Sequence, residues 1–349
     1  MSFVQSIKRQ FGAVALAVIV SVAAVATYVY VGQIDQPNFE GRLALHRQIL
    51  DGTAVAPYRY RILVPLMCEA LVRLLSTVLT LKQSFLLAYA VYDAAAILFL
   101  LIVLFAWFRA LFSREQSLLG VLFVVAVMPM ALRGHYYQPW SLLEPGLFTA
   151  SLLSIYRRRY WLLALITAVA TLNRETGIFI PLAFLLSNVD IGSSRRDRAP
   201  GVRQWPALCA GYVLLWAFVY GALRVMRGET PHMYGLGEIW AANTAKHNLV
   251  NTPLHIILFL GAFWAFAAMG YRHAPAFLKR VTWVVPPYVI TSAMFGMWWE
   301  VRLLMPLYPI LVGLGLCYLY RGGVNDDGCL ADPAARTHEG DRSITTESR

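Results

Sequence analysis

Gln10–Ile34 reads QFGAVALAVIVSVAAVATYVYVGQI, and no charged side chain interrupts it. At ~1.5 Å of rise per residue, a helix of that length exceeds the ~30 Å hydrocarbon core of a bilayer. Lys8 and Arg9 precede the run, and Ala24-Val25-Ala26 has the form of a cleavage site. Tyr28-Val29-Tyr30-Val31 nevertheless carries it to full bilayer length with aromatic residues at its end. The segment therefore reads as an uncleaved anchor.

Working outward, the same pattern recurs. Gln116–Leu132, Gln204–Leu223, His247–Tyr271, Val281–Trp299 and Leu303–Tyr320 are uncharged, and Ser84–Phe108 carries only Asp93. Pro145–Tyr156, Tyr160–Asn173 and Thr176–Val189 are shorter uncharged runs that need flanking residues or protein neighbours to cross. The expected fold is all-α: a polytopic membrane helix bundle of about ten transmembrane helices over residues 1–320. Residues 321–349 are polar and aperiodic and read as a disordered cytoplasmic tail.

Composition agrees. Hydrophobic residues make up 58% of the 349 and charged residues 14%, with a mean hydropathy of +0.57. A soluble domain is nearer ~45–50% apolar and ~25% charged. A disordered chain, a disulfide scaffold and a cytosolic enzyme are excluded. The net charge of +11 sits in short clusters between apolar runs, which points to membrane topology and not to nucleic acid. Cys68, Cys209, Cys317 and Cys329 are too scattered for a disulfide framework or a metal motif.

Residues 33–83 form the expected outer loop. In Ile62–Leu81 the polar residues Glu69, Arg73, Ser76, Thr77 and Thr80 fall on one helical face, so the segment reads as a helix along the interface. Phe39–Leu50 reads as a second such helix, with Phe39, Leu43, His46 and Leu50 on one face. If Ile62–Leu81 does not cross, Arg157-Arg158-Arg159 and Arg195-Arg196 all fall on the cytoplasmic side. Both termini are then cytoplasmic, and the protein is expected in a plasma (inner) membrane.

This topology collects the chemically unusual residues on the outer face. They are Asp35 and Glu40, Arg59 and Arg61, Arg133 and His135, Glu144, Arg174 and Glu175, and Glu300 and Arg302. Arg61-Ile-Leu-Val-Pro65 and Arg302-Leu-Leu-Met-Pro306 share one form, an Arg at a helix start followed by a tolerated Pro. A guanidinium beside helix N–H groups suits a phosphate. Plainer readings stand beside this one. Arg59 and Arg302 read equally as snorkelling anchors, Arg174-Glu175 and Glu300–Arg302 as helix-pinning ion pairs, and His135 as an ordinary loop residue. Glu69 and Arg73 read as an i, i+4 pair. Asp93, inside an apolar run, is either a functional carboxylate or a structural hydrogen-bonding group.

The arrangement of an uncleaved first helix, Asp35 at its outer end, two interface helices and a bundle of short spans resembles the GT-C superfamily of membrane glycosyltransferases. The resemblance implies transfer of a sugar from a polyprenyl-phosphate-linked donor to an acceptor on the non-cytoplasmic face. It makes Asp35 the general base, with Glu40 the second candidate. Arg59, Arg61, Arg133, His135, Glu144, Arg174, Glu175, Glu300 and Arg302 would then bind substrate or phosphate. The partners expected are the lipid-linked donor and membrane lipids, with no nucleic acid. No cofactor and no metal ligand set is read from the sequence, and a divalent cation stays open. The rival readings are a transporter or flippase of a lipid-linked or anionic substrate, and a non-catalytic scaffold.

Overall fold

A computed structural model describes residues 3–132, 138–189 and 204–320, with side chains from residue 12 onward. Every named element in it is helical. Five helices are long and apolar enough to cross a membrane: Gly12–Asp35, Leu81–Phe108, Arg114–Leu132, Trp205–Arg227 and Val301–Leu319. A bent pair, Lys246–Leu260 with Phe263–His273, makes six if it counts as one span. This is consistent with a membrane protein. The apolar runs expected to complete ten spans are present as shorter helices.

The chain opens with α1 (Phe3–Tyr30), which ends in a π-helical turn, Val31–Asp35. A π turn changes the rotational phase of the side chains that follow it. Here Asp35 at its end is fully buried. The helices α2 (Phe39–Asp51) and α3 (Leu63–Leu75) then form within the expected loop. Phe39, Leu43, His46 and Ile49 are the buried face of α2, at the spacing of one helical stripe, and Arg42 is buried with them.

The centre of the bundle is α4 (Leu81–Phe108). A capping box starts it: Gln83 N donates to Thr80 Oγ1 at 3.4 Å and Thr80 N donates to Gln83 Oε1 at 3.2 Å. Its buried side chains include Phe85, Ala88, Tyr89, Tyr92, Ala96, Leu100 and Leu104, a stripe along most of its length. It packs against α1, α3, α5 (Arg114–Leu132) and α6 (Trp140–Tyr156). A tight turn with Arg158 at φ 56° returns the chain from α6 into α7 (Tyr160–Asn173). The 3-10 turn Glu175–Ile178 leads into α8 (Phe179–Asn188).

The second half begins with α9 (Trp205–Arg227) and α10 (Leu236–Thr244). The next two helices, α11 (Lys246–Leu260) and α12 (Phe263–Gly270), meet at 65° where Gly261 takes φ 53°. A side chain rarely tolerates that backbone, so the break is written into the glycine. Then come α13 (Ala276–Thr282), α14 (Val285–Phe295), the 3-10 segment Val301–Leu307, and α15 (Tyr308–Leu319). The α12–α15 crossing is close: a Cβ on Gly270 would lie 1.9 Å from the Leu314 carbonyl oxygen.

One further connection positions the first loop. Arg227 Nη1 at the end of α9 donates to the Ile49 and Leu50 carbonyls, both at 3.1 Å, which adds to the local Gly52 cap at the end of α2. Ala56 N donates to Pro231 O at 3.1 Å, and Met233 N to Ala56 O at 2.8 Å.

Candidate functional site

Three arginines from remote parts of the chain enter one buried network. Arg61 arrives from the loop before α3, Arg174 from the junction of α7 and α8, and Arg302 from the 3-10 segment before α15. They are 5%, 7% and 2% exposed. Each has a carboxylate. Arg61 Nε donates to Glu175 Oε2 at 3.1 Å, and its Nη2 donates to Glu175 Oε1. Arg174 Nη1 donates to Glu144 Oε2 at 2.7 Å and has Glu175 at 4.0 Å on its other side. Arg302 Nη2 donates to Glu300 Oε2 at 2.5 Å, and Nη1 donates to Ser141 Oγ at 3.0 Å. Arg302 in turn lies within electrostatic range of Arg174, Arg61 and Tyr58.

Neutral groups fix this geometry. The hydroxyls of Thr176 and Tyr288 both donate to Glu144 Oε1, Tyr288 at 3.3 Å. The Arg61 guanidinium carbon lies 5.2 Å from the Trp140 ring centre and 5.8 Å from that of Tyr58. Trp140 Nε1 donates to Gln138 Oε1 at 2.8 Å, and Asn173 Nδ2 donates to Trp140 O at 3.1 Å. Because α6 starts at Trp140, its first turn supplies Ser141, and its second begins with Glu144. The N–H groups of Ser141 and Leu142 in that first turn donate to the Gln138 and Pro139 carbonyls, at 2.9 and 3.3 Å. A cavity of about 10 Å³ lies against Glu144, Asn173, Thr176 and Tyr288, room for one water. In this state the site is closed, and the carboxylates occupy the anion positions on the arginines.

Asp35 lies elsewhere. It pairs with Arg42 of α2, under 1–2% exposure for both. The two regions share a wall: the Arg42 guanidinium carbon is 4.8 Å from the Tyr89 ring centre, Tyr89 packs edge-on to Tyr92, and the Tyr92 hydroxyl donates to Pro139 O at 2.8 Å. Pro139 is the neighbour of Trp140. Glu40 is exposed in the first turn of α2. Arg59 turns away from the network, and its Nη2 donates to the Arg227 carbonyl. Arg133 and His135 lie outside the described residues.

A third polar group sits beside Asp35 on α2 and α3. His46 has Tyr89 Oη 3.0 Å from Nδ1 and Glu69 Oε2 3.1 Å from Nε2. A carboxylate at Nε2 makes that nitrogen the donor, so Nδ1 accepts from Tyr89. Arg73 Nε donates to Glu69 Oε1 at 2.6 Å, the expected i, i+4 contact. Burial lowers the His46 pKa below 6.5, outweighing the upward pull of Glu69. Glu69 is held below the ordinary carboxylate range: burial alone would raise it, but Arg73 and His46 more than offset that.

Sequence reasoning did not single out Arg42, Ser141, Thr176 or Tyr288. Thr176 directly follows Glu175, whereas Ser141 and Tyr288 carry no local signal. Among the described residues no group of three or more His, Cys, Asp or Glu side chains is gathered for a metal ion. Comparison with protein-family models, curated proteins and solved structures finds no match.

Proposed function

We propose that the protein is a membrane glycosyltransferase of the GT-C type, moving a sugar from a polyprenyl-phosphate carrier to an acceptor hydroxyl. The observation that carries this reading is the meeting of Arg61, Arg174 and Arg302 in one buried network beside the N-terminus of α6. A lipid phosphate exchanges for the carboxylates on those guanidinium groups, since the fork geometry accepts either anion. As the glycosidic bond breaks, charge grows on the phosphate oxygen. Fixed guanidinium donors in a water-poor site stabilise that charge.

Asp35 is the general base of this reading, and Glu40 the second candidate. For Asp35 to take the acceptor proton, its pair with Arg42 must open. The short helices α6, α7, α8 and α14 complete about ten crossings, each sheltered by neighbours. The positive-inside pattern then sets the network toward the non-cytoplasmic side of an inner membrane, with both termini in the cytoplasm.

The broken pair α11–α12 favours the rival reading of transport, because transporters build sites from discontinuous helices. The arginines, however, come from other elements. The deciding experiment uses the full chain in nanodiscs with a panel of polyprenyl-phosphate sugars labelled in the sugar. Transfer to an acceptor by the wild type, lost in Arg174→Ala, supports the enzyme. Lipid flipping in vesicles without transfer replaces it with transport.

A further inference from the structure

Asp93 has no part in the arginine network. It lies inside the apolar helix α4 and is fully buried, at 0% exposure. Neither carboxylate oxygen has a hydrogen-bond partner. The structural hydrogen bond that would make it an ordinary helix contact is therefore not what holds it.

The charges around it come from three neighbouring elements. Arg42 of α2, 1% exposed, lies within electrostatic range of Asp93. The same guanidinium carries the ion pair with Asp35, at the π-helical end of α1. Cys68 of α3 feels both Asp93 and Arg42. On α4 itself, Tyr89 lies one turn earlier, with its ring beneath Arg42.

Asp35 thus holds the ion pair with Arg42, while Asp93 lies within electrostatic range of the same buried guanidinium without touching it. With both ionised, the group would carry a net charge of −1 in apolar surroundings. A buried carboxyl without its own counter-ion binds a proton instead of remaining ionised. A metal ion fits the place poorly, since only two carboxylates approach and the guanidinium beside them repels a cation.

We infer that Asp93 is a proton-binding site: a carboxylic acid at neutral pH that lies within electrostatic range of the Arg42–Asp35 pair and claims that guanidinium when its proton leaves. The proton comes from water and returns to it, and only the O–H bond forms and breaks. This inference does not depend on the glycosyltransferase reading, and its test needs no substrate.

The test is infrared spectroscopy of the full chain in nanodiscs at neutral pH, read at the carbonyl stretch of protonated carboxyls. The wild type shows a protonated carboxyl band that Asp93→Asn removes. Asp93→Glu keeps the band at a shifted frequency, Asp35→Glu leaves it in place, and Arg42→Gln adds a second band as Asp35 takes up a proton. Should Asp93→Asn fail to fold, the two Glu variants still decide the assignment. A wild type without the band overturns the inference, as does a band indifferent to both Asp93 variants or one that moves with Asp35→Glu.

Discussion

Arg61 and Glu175 form a two-point ion pair across 114 residues of sequence, joining the loop before α3 to the turn before α8. Arg61 is 5% exposed, so it depends on that carboxylate for compensation. Glu175→Gln lowers stability by about 1.5–3 kcal/mol, the range for a hydrogen bond to a charged group. Replacing both residues by Leu recovers most of the loss, because no buried charge is left alone. Thermal unfolding in detergent reads both, and a double variant weaker than either single one rejects this account.

Asp35→Asn and Glu40→Gln separate the two candidate bases. A general base contributes about 10²–10⁴ in rate, so Asp35→Asn loses that much transfer activity while Glu40→Gln changes it by less than about tenfold. The reverse ranking moves the base to α2.

The α12–α15 crossing depends on Gly270. An alanine there meets backbone, not a side chain that can swing aside, with the Leu314 carbonyl oxygen 1.9 Å and the carbonyl carbon 2.7 Å from the new Cβ. Gly270→Ala therefore forces the helices apart and costs about 1–3 kcal/mol, the usual range for overpacking. An unchanged unfolding temperature means that the crossing is looser than it stands here.

His46 gives stability a pH dependence with a definite sign. Its folded pKa is below 6.5, so the unfolded chain binds the proton first as pH falls. The contribution is complete above 6.5 and is lost as pH drops from 6.5 through the folded value. His46→Gln flattens this part of the unfolding curve below pH 6.5. If the variant keeps the wild-type slope, other groups govern stability there.

The apolar helices and the two helices in the first loop could be read from the chain, because periodicity and the lack of charge are local properties. Arg61, Arg174, Glu175, Glu144, Glu300 and Arg302 stood out as charges at helix borders, and the structure does gather them. Who pairs with whom was not readable. Arg174 takes Glu144, 30 residues away, more closely than adjacent Glu175, and Arg61 takes the latter. Arg42 lies within the expected helix Phe39–Leu50 and carries no signal of its own in the sequence. Only tertiary packing turns it inward against Asp35. The lengths of the later helices also escaped the sequence, since an uncharged run says nothing of the backbone break that Gly261 makes within it.

Arg227 has a consequence for biosynthesis. It reaches the Ile49 and Leu50 carbonyls from 178 and 177 residues downstream. A chain emerging from the ribosome completes α2 long before that arginine exists. Until α9 and the segment after it arrive, the carbonyl end of α2 has only its local cap at Gly52, and Ala56 lacks its partners Pro231 and Met233. The first loop is thus among the last parts to mature, and a nascent chain halted before Trp205 leaves it open to proteases.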